Sequence, residues 1–417
     1  MSEFVIRGGK PLHGEITVQG SKNGILPILA AAILVSGETL LHNCPSISDV
    51  DTALEILRTL GCRTEKSGSD IYIDSSVLAG GTIPDNLMKS MRSSIIFAGA
   101  MLGRTGNVKV SGPGGCFLGE RPIDYHINAL RKMGAEMDYD GEHYHFHAPR
   151  LYGADISLPF PSVGATENTV LAACMAQGGT IIRNAAREPE IADLCGFLRE
   201  AGFSVSGAGG PTLVVSGGKP KGCAEYTIKG DRIAAGTFLC AAAASGGELT
   251  VRGVESERLS GLCHRLAESG CAVRSWADAV RVKAEGELSA LSVVETGPYP
   301  GFSTDLQPPL MALACFLRGR SIFVENIFES RYNHIESLLR MGARIELYDR
   351  IACVTGTAVL SGAVVDALDL RAGAALVTAA LGAQGETRIR DRGYIDRGYE
   401  SIEKVLCSVG AEMERID

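Results

Sequence analysis

The sequence Leu130-Arg131-Lys132-Met133-Gly134 occurs in six related versions along the chain. The other versions end in glycines at positions 61, 202, 270, 342 and 410, so that successive glycines are 73, 68, 68, 72 and 68 residues apart. A glycine directly after the last apolar turn of a helix is typical of a helix C-terminus. Six such ends at nearly constant spacing predict an architecture of six repeats, each of about 70 residues.

A second type of helix is predicted in phase with these glycines. Alanine-rich, almost wholly apolar stretches predict buried helices at about 23–34, 90–102, 164–176, 231–244, 305–317 and 369–381. A glycine-containing turn and a short apolar stretch follow each of them, and a hairpin pattern follows each glycine-capped amphipathic helix. One repeat therefore reads β-α-β-α-β-β, which is an α/β (α+β) unit.

The two ends of the chain predict how the repeats are grouped. The sixth repeat stops one strand short, and Phe4-Val5-Ile6-Arg7 forms a spare strand before the first repeat. We therefore expect two domains of three repeats each. Residues 22–229 form one domain, including a loop at 111–122, and residues 230–417 plus 1–21 form the other. The cleft between two such domains is the default place for a ligand site.

The composition is that of an ordinary globular protein. Of 417 residues, 45% are hydrophobic and 21% charged, and the net charge of −8 argues against nucleic acid or an anionic membrane as the main partner. No apolar run and no N-terminal pattern indicates a membrane span or signal peptide, so a cytoplasmic protein is expected. The 12 cysteines contain no C-x-x-C pair, and Cys174, Cys240 and Cys315 are expected to be buried, reduced thiols.

The segment 111–122 reads Ser-Gly-Pro-Gly-Gly-Cys-Phe-Leu-Gly-Glu-Arg-Pro. Four glycines and two prolines exclude the interior of a regular helix or strand. The loop carries a thiol, Cys116, five residues before a guanidinium, Arg121. A mobile loop that joins a nucleophile or acid to an anion-binding group is a way to build a catalytic lid. The alternative is a surface turn with an incidental cysteine.

The starts of the buried helices differ from one repeat to the next. Cations near a helix N-terminus oppose the helix dipole, so Lys22 and Arg371 suggest a bound anion that offsets this cost. Thr166 and Asp231 are interpreted as plain helix caps. Asp305 is either a cap or a general base.

Three alternating histidines, His143, His145 and His147, share one face of a predicted strand and suggest a metal site. They occupy a position that ordinary hairpin residues fill in the first repeat. A structural strand is therefore preferred to a metal site.

The chain resembles the bacterial UDP-N-acetylglucosamine enolpyruvyl transferases from end to end. The matching motifs are Gly20-Ser21-Lys22-Asn23, Met91-Arg92, Pro113-Gly114-Gly115-Cys116, Arg121-Pro122-Ile123-Asp124 with His126, Pro161-Ser162-Val163, Thr304-Asp305, Asp369-Leu370-Arg371 and Ile395-Asp396-Arg397-Gly398-Tyr399-Glu400. Members of this family have two domains, each an inside-out α/β barrel of three β-α-β-α-β-β repeats. The resemblance therefore implies the same architecture that the spacing predicts.

The resemblance implies transfer of the enolpyruvyl group of phosphoenolpyruvate to the 3′-hydroxyl of UDP-N-acetylglucosamine, by addition and then elimination of phosphate. This is the first committed step of peptidoglycan synthesis. By analogy, Asp305 takes the hydroxyl proton and Cys116 protonates C3 of phosphoenolpyruvate. Lys22 and Arg397 complete the catalytic set. The epoxide fosfomycin alkylates the loop cysteine in this family, and the same reaction is expected here.

The resemblance also assigns the binding residues. Those expected at the phosphate and carboxylate of phosphoenolpyruvate, or near them, are Lys22, Arg92, Arg121, Arg371 and Arg397. Those expected to contact the nucleotide sugar, or to lie beside it, are Asn23, Arg121, Pro122, Ile123, Asp124, Tyr125, His126, Ser162, Val163, Gly164, Asp305, Ile327, Arg331 and Asp369. No metal and no organic cofactor is expected. The partners are the two small-molecule substrates.

Two other functions compete with this interpretation. The shikimate-pathway enolpyruvyl transferase has the same fold and also uses phosphoenolpyruvate, but its family lacks the Pro-Gly-Gly-Cys loop. A catalytically silent paralogue that binds UDP-N-acetylglucosamine is the other alternative. The silent paralogue is disfavoured because the chain keeps all five of the proposed functional residues, Lys22, Cys116, Arg121, Asp305 and Arg397.

Overall fold

The computed structural model describes residues 2–115, 118–357 and 359–416. The contacts among these residues divide the chain into two compact units. We call residues 20–115 and 121–229 the N-terminal unit, and residues 2–19, 118–120 and 230–416 the C-terminal unit. Each unit contains three repeats and is described by itself below.

A buried, alanine-rich helix occurs once in every repeat. Because these sequences are apolar on all sides, nearly every residue of the helices is buried. The buried helices are α1 (Lys22–Val35), α4 (Ile96–Thr105), α6 (Val163–Cys174), α8 (Arg232–Ala244), α10 (Gln307–Ala314) and α12 (Leu370–Gly382). As expected, Cys174, Cys240 and Cys315 are free, buried thiols.

The second repeat departs from the expected helix at 90–102. A short helix α3 (Asp85–Ser90) ends before Met91, whose backbone is extended, with φ of −145° and ψ of 150°. A 3-10 turn at Arg92–Ile95 then leads into α4. The hydroxyl of Ser94 donates to the carbonyl oxygens of Met88 and Met91, at 2.9 and 2.8 Å, and so stabilises the break.

The glycine-capped helices are amphipathic and carry one buried face. They are α2 (Ser48–Thr59), α5 (Asp124–Lys132), α7 (Pro189–Glu200), α9 (Ser260–Glu268), α11 (Ile335–Arg340) and α13 (Ile402–Cys407). 3-10 turns precede α9 at Ser256–Leu259 and α13 at Ile395–Arg397. The six repeat glycines all have positive φ, between 91° and 103°. Only glycine adopts this conformation at low cost, which explains why it recurs at each helix end.

The N-terminal unit contains three sheets, with strand orders β13-β3-β5-β4, β6-β8-β7 and β11-β12-β10-β9. Their strands are β3 (Glu38–His42), β4 (Arg63–Ser67), β5 (Asp70–Asp74), β6 (Asn107–Ser111), β7 (Glu136–Tyr139), β8 (His143–His147), β9 (Asp155–Ser157), β10 (Gly179–Arg183), β11 (Ser204–Ser206), β12 (Thr212–Ser216) and β13 (Cys223–Thr227). In the three-stranded sheet, a parallel bridge from Thr82 to Lys109 takes the place of a first strand.

The C-terminal unit contains three four-stranded sheets, with orders β15-β16-β14-β2, β17-β18-β20-β19 and β21-β22-β1-β23. Their strands are β1 (Ser2–Arg7), β2 (His13–Thr17), β14 (Glu248–Arg252), β15 (Ala272–Trp276), β16 (Ala279–Lys283), β17 (Val293–Glu295), β18 (Arg320–Val324), β19 (Arg344–Tyr348), β20 (Ile351–Thr355), β21 (Val364–Asp366), β22 (Glu386–Asp391) and β23 (Glu412–Ile416).

Three strands pair with repeats distant in sequence. β1 lies between β22 and β23 and is antiparallel to both. β2 precedes the first repeat in the chain but pairs in parallel with β14 of the fourth. β13, which precedes the fourth repeat, pairs in parallel with β3 of the first. The first and fourth repeats therefore exchange their opening strands.

The buried helices form the centre of each unit. In the N-terminal unit α1 packs against α4, and α4 packs against α6. In the C-terminal unit α8, α10 and α12 pack against one another. Strands such as β3 and β22 alternate buried and exposed residues, as expected for sheets with one face on a helical core. The predicted fold class, an α/β (α+β) fold of inside-out barrels built from six repeats, is confirmed.

Candidate functional site

Lys22 is the first residue of α1 in the N-terminal unit. Ser21 caps this helix by accepting a hydrogen bond from the backbone N–H of Gly24 at 3.1 Å. The ammonium of Lys22 lies 2.7 Å from Oδ2 of Asp49 on α2, and both side chains are buried. Asn23 follows Lys22 and is half-buried.

The charge of Lys22 therefore has a counter-ion within the chain. We had expected the cation at this helix start to require a bound anion. Asp49 supplies a negative charge, so the position of Lys22 alone is not evidence for a ligand. The ion pair holds the ammonium in one place.

The side chain of Arg92 contacts the backbone of Arg121. The guanidinium of Arg92 donates to the carbonyl oxygens of Pro113, at 3.3 Å, and Arg121. Burial and then the charge of Arg121 lower the pKa of Arg92 to about 10. The positive charge of Arg121 therefore acts on that of Arg92 within the N-terminal unit.

The described part of the glycine-rich loop is fixed to the end of α3. The backbone N–H groups of Gly114 and Gly115 donate to the carbonyl oxygens of Met88 and Lys89, at 3.0 and 3.2 Å. A Cβ on Gly114 would lie 1.9 Å from the carbonyl oxygen of Lys89, so only glycine fits there. Cys116, the proposed acid, lies outside the described residues.

The loop resumes at Leu118 within the C-terminal unit. The carbonyl oxygen of Leu118 accepts a hydrogen bond from the backbone N–H of Ser330 at 3.2 Å. Gly119 has a φ of 99° and lies against the side chain of Glu329. Residues 118–120 thus make their contacts in a different unit from the rest of the loop.

The motif that begins at Arg121 leads into α5. Pro122 is exposed, Ile123 is the last residue before the helix, and Asp124 is its first residue. Tyr125 lines a shallow groove of about 460 Å³ beside Lys132, Ser157 and Pro159. His126 is buried and faces Asn168 on α6.

The start of α6 provides backbone donors. Ser162 caps the helix by accepting a hydrogen bond from Ala165 N–H at 3.4 Å, and Val163 and Gly164 form its first turn. The expectation that Thr166 is the cap is wrong, because the helix has already begun at Val163. Thr166 instead donates to the Ser162 carbonyl oxygen and accepts from the Ala186 N–H.

In the C-terminal unit, Asp305 lies between two arginines. Its Oδ1 is 2.5 Å from Nη2 of Arg331, and its Oδ2 is 3.0 Å from Nη2 of Arg371. Both arginines are buried, whereas the carboxylate side chain is 24% exposed. Burial alone would raise the pKa of Asp305, but the charges of Arg371 and Arg331 outweigh it and hold this pKa well below its usual range.

Asp305 is not a helix cap. α10 begins at Gln307, and its N-cap residue is Leu306, with no side-chain cap hydrogen bond. Of the two interpretations left open by the sequence, the cap is therefore wrong. Leu306 stands between Asp305 and the helix, and Pro308 and Pro309 carry no N–H that the carboxylate could cap.

The two arginines are held by further hydrogen bonds. Arg331 also donates to the carbonyl oxygen of Thr304, through Nε at 3.1 Å and Nη2 at 3.0 Å. Arg371 donates to the hydroxyl of Tyr399 at 3.2 Å, and this hydroxyl lies 2.9 Å from that of Thr237. As with Lys22, an internal carboxylate offsets the charge of Arg371 at its helix start.

Caps and turns position the remaining candidates of this unit. Asp369 caps α12 by accepting hydrogen bonds from Arg371 N–H and Ala372 N–H, each at 2.9 Å, and Asn333 donates to its other oxygen. Asp231 caps α8 in the same way, as expected. Arg397 ends the 3-10 turn before α13 and is half-buried.

Ile327 depends on a residue that the sequence did not identify, Glu325. This carboxylate is fully buried. It accepts hydrogen bonds from the backbone N–H groups of Ile327 and Phe328, at 2.9 and 3.1 Å, and from the hydroxyl of Thr304. Glu325 therefore connects the turn that carries Ile327 to the residue directly before Asp305.

The alternating histidines belong to β8, and two of them contact carboxylates. The ring of His143 lies 3.0 Å from Asp85, and that of His145 lies 3.2 Å from Asp140. Across the part of the chain that the structure describes, no group of three His, Cys, Asp or Glu side chains is arranged to hold a metal ion. Within that same part, every helix is too short or too polar to cross a membrane.

Comparison with known proteins agrees with the fold and the motifs. The family model of EPSP synthase (3-phosphoshikimate 1-carboxyvinyltransferase) matches residues 6–406. UDP-N-acetylglucosamine 1-carboxyvinyltransferase 2 of Caldanaerobacter subterraneus subsp. tengcongensis is 48% identical over 416 residues, which cover 100% of both chains. UDP-N-acetylglucosamine 1-carboxyvinyltransferase 1 of Symbiobacterium thermophilum is 46% identical, with 99% of this chain and 95% of the relative covered.

Solved structures share the fold at lower identity. The enolpyruvyl transferase NikO from Streptomyces tendae superposes with a TM-score of 0.90 at 24% identity, covering 99% of this chain and 98% of that chain. EPSP synthase from Acinetobacter baumannii superposes with a TM-score of 0.78 at 18% identity, and both chains are fully covered. The similarity over the full length to the curated relatives decides the family, and the chain belongs to the UDP-N-acetylglucosamine 1-carboxyvinyltransferases.

Proposed function

We propose that the protein transfers the enolpyruvyl group of phosphoenolpyruvate to the 3′-hydroxyl of UDP-N-acetylglucosamine and releases phosphate, the first committed step of peptidoglycan synthesis. The observation that carries the proposal is the ionised Asp305 between Arg331 and Arg371, in a chain 48% identical over its full length to a transferase of this name. A partly exposed carboxylate among buried cations is suited to a hydroxyl substrate that carries anionic groups.

The reaction consists of an addition and an elimination. In the addition, C3 of phosphoenolpyruvate gains a proton, C2 forms a bond to the sugar oxygen, and the sugar hydroxyl loses its proton. In the elimination, the bond between C2 and the phosphate oxygen breaks and C3 loses a proton. The products are the enolpyruvyl ether and inorganic phosphate, so the atoms balance without a cofactor.

The environment of Asp305 suggests the order of the proton transfers. A carboxylate with a strongly lowered pKa is a weak base, and it cannot remove a proton from a free hydroxyl efficiently. When C3 is protonated first, C2 becomes electron-poor and the attacking hydroxyl becomes strongly acidic. A weak base then suffices. We therefore assign C3 protonation by Cys116 as the leading step and proton acceptance by Asp305 as the following step.

The cations hold the charged groups of phosphoenolpyruvate. Lys22, Arg121 and Arg397 are assigned to its phosphate and carboxylate, and Arg92 and Arg371 are assigned to the same substrate. The effect of the Arg121 charge on the pKa of Arg92 supports this role, because both cations can act on one bound anion. Cations fixed in advance stabilise charge in the transition state without a cost of reorganisation.

The nucleotide sugar is bound by residues at helix starts and turns. Backbone donors at the start of α6, in Val163 and Gly164, suit phosphate oxygens, and Ser162 is assigned beside them. The other residues assigned to the nucleotide sugar are Asn23, Arg121, Pro122, Ile123, Asp124, Tyr125, His126, Asp305, Ile327, Arg331 and Asp369.

Phosphate release tests the proposal. The purified protein is mixed with phosphoenolpyruvate and either UDP-N-acetylglucosamine or shikimate 3-phosphate, and inorganic phosphate is measured with time. We expect release with the first acceptor alone. Release with shikimate 3-phosphate alone would overturn the proposal, and silence with both would indicate a binding paralogue.

Asp305→Asn tests the assigned base. We expect kcat to fall by a factor of about 100 or more, while calorimetry shows UDP-N-acetylglucosamine binding within a few-fold of the wild type. Glu336→Gln is the matched control, because this carboxylate is exposed and pairs with Arg340 at a helix surface. It should leave both quantities unchanged. Full activity of Asp305→Asn would contradict the assigned role.

A further inference from the structure

His126 lies at the centre of a buried chain of hydrogen bonds in the N-terminal unit. It belongs to α5, and its side chain is almost completely buried, as is that of Asn168 on α6. Nδ1 of His126 and Nδ2 of Asn168 are 3.0 Å apart. Oδ1 of Asn168 lies 2.6 Å from the backbone nitrogen of Gly99 on α4. The chain of contacts thus joins three helices.

The direction of each hydrogen bond follows from chemistry. A backbone N–H can only donate, so Oδ1 of Asn168 is the acceptor for Gly99. The amide NH₂ of Asn168 then faces His126 and can also only donate. Nδ1 of His126 must therefore be an acceptor, which is possible only for a neutral ring. A neutral ring with an unprotonated Nδ1 carries its proton on Nε2.

Gly99 is necessary for this arrangement. A Cβ at this position would lie 2.3 Å from Oδ1 and 2.2 Å from the carbonyl oxygen of Asn168. Any side chain would therefore push α4 and α6 apart and break the hydrogen bond that orients the amide. The absence of a side chain at Gly99 fixes the orientation of Asn168 and, through it, the tautomer of His126.

The opposite edge of the imidazole faces the start of α6. A Cβ on Gly164 would lie 3.2 Å from Cε1 and 3.5 Å from Nε2 of His126. Gly164 belongs to the first turn of this helix, which Ser162 caps. Among the described residues, the structure records no hydrogen-bond acceptor for the Nε2–H of His126. This nitrogen is not among the fully buried polar atoms of the described residues, so a ligand oxygen can reach it and accept its hydrogen bond.

We infer that Asn168 and Gly99 hold His126 as a permanently neutral Nε2–H donor, and that this donor binds a phosphate oxygen of the nucleotide sugar beside the first turn of α6. The second half of the inference rests on the proposed function. His126 acts on the ligand, and Asn168 is a positioning residue that acts through it.

The surroundings of His126 agree with a neutral ring. Burial and then the positive charge of Arg92 lower the pKa of His126 to about 3. Among the described residues, Arg92 is the charged group recorded as acting on the ring, and the groups that face it from α6 are the uncharged Asn168 and Gly164. A neutral donor has one advantage at a site crowded with cations. It binds a phosphate oxygen without adding another positive charge to those of Arg92 and Arg121.

Nitrogen NMR tests the tautomer without any ligand. The protein is labelled with ¹⁵N-histidine, and the ring signals of His126 are assigned by their loss in His126→Gln. We expect Nε2 in its protonated form and Nδ1 in its unprotonated form at every pH from 5 to 8. A protonated Nδ1, or titration within this range, would overturn the inference.

Asn168→Asp tests the positioning role. Its carboxylate keeps an oxygen for Gly99 N–H and turns the other oxygen toward Nδ1, which must then carry a proton. At high pH the ring is neutral and its single proton is on Nδ1. Nε2 then has no proton and cannot donate to the ligand. At low pH the ring becomes cationic and regains this donor. We expect the Kd for UDP-N-acetylglucosamine to rise by a factor of about 10 at pH 8 and to recover at pH 6.

Two comparisons separate the possible failures. His126→Gln keeps an N–H donor and should bind UDP-N-acetylglucosamine better than His126→Phe. If Asn168→Asp binds like the wild type at both pH values, the assigned role in ligand binding is wrong even when the tautomer is right. If the wild type does not bind UDP-N-acetylglucosamine at all, the proposed function fails, while the NMR result still decides the tautomer.

Discussion

The ammonium nitrogen of Lys22 and Oδ2 of Asp49 are 2.7 Å apart, and both side chains are buried. A buried cation of this kind is stable because a carboxylate on the neighbouring helix offsets its charge. The pair also fixes the direction of the Lys22 side chain. Asp49 therefore determines where a proposed catalytic residue is placed, although it has no assigned contact with either substrate.

Asp49→Asn should weaken both stability and catalysis. Removing one member of a buried ion pair costs about 3 kcal/mol or more of unfolding free energy, because the remaining charge is less well compensated. We expect such a loss in urea unfolding, together with a fall of at least about tenfold in kcat/KM for phosphoenolpyruvate. Asp51→Asn is the matched control, since this exposed residue of α2 pairs with Lys66 at 3.4 Å. Equal losses in both variants would contradict the prediction.

Arg331→Met should make activity sensitive to acid. In the wild type, Arg371 and Arg331 outweigh burial and keep the pKa of Asp305 low, so this group stays ionised throughout pH 5–8. Without Arg331, burial is opposed by one cation fewer, and the pKa of Asp305 rises. We expect kcat of the variant to fall by about tenfold between pH 7 and pH 5, against less than about twofold for the wild type.

The free energy of unfolding should also depend on the ionisation of Asp305. A carboxyl whose folded-state pKa is depressed stabilises the fold fully above its unfolded pKa of about 3.9, and loses this effect as pH falls through the folded-state pKa. The free energy of unfolding lost in Arg331→Met should therefore be larger at pH 7 than at pH 3. Arg340→Met removes an exposed arginine instead. An acid-sensitive kcat in that control as well would show that the effect does not come from Asp305.

Glu325→Ala should disturb the site without removing an assigned contact. It deletes a fully buried carboxylate and leaves the backbone N–H groups of Ile327 and Phe328 without this acceptor. We expect a loss of about 3 kcal/mol in unfolding free energy and at least a tenfold fall in kcat, because Thr304 and hence Asp305 lose a fixed neighbour. Glu325→Gln keeps one oxygen and should lose less of both. An unchanged kcat in a destabilised alanine variant would restrict Glu325 to a structural role.

The repeats were predictable because each one ends a helix in the same way. The positive φ at Gly61, Gly134 and the four corresponding positions requires glycine. Glycine therefore recurs in the sequence at nearly constant spacing. The buried helices were predictable for a similar reason, since only a core helix is apolar on all sides. Met91 escaped prediction because its extended backbone interrupts a pattern that stays apolar.

The partners of the site residues were not predictable in the same way. Asp49 is one of several acids on an amphipathic helix, and Glu325 directly follows a strand, where a polar residue is unremarkable. Their roles depend on which helix or turn packs against them, and this is decided by tertiary structure. The interpretation of Lys22 and Arg371 as anion sites had the same weakness, since their internal counter-ions lie 27 and 66 residues away.

Cys116→Ser should abolish inactivation by fosfomycin and most of the turnover. Burial raises the pKa of Cys44, Cys62 and Cys315 to about 12, so these thiols stay protonated and unreactive near neutral pH. The exposed thiols among the described residues are those of Cys223 and Cys407.

Mass spectrometry of tryptic peptides after fosfomycin treatment identifies the alkylated thiol. We expect one adduct, on the peptide that contains Cys116, and none in Cys116→Ser. Cys407→Ser is the control, because it removes an exposed thiol that donates to the Met413 carbonyl oxygen at 3.1 Å and has no assigned role. It should be inactivated as fast as the wild type. Inactivation of Cys116→Ser, with the adduct on Cys223 or Cys407, would show that the reactive thiol lies elsewhere and that Cys116 is not the acid.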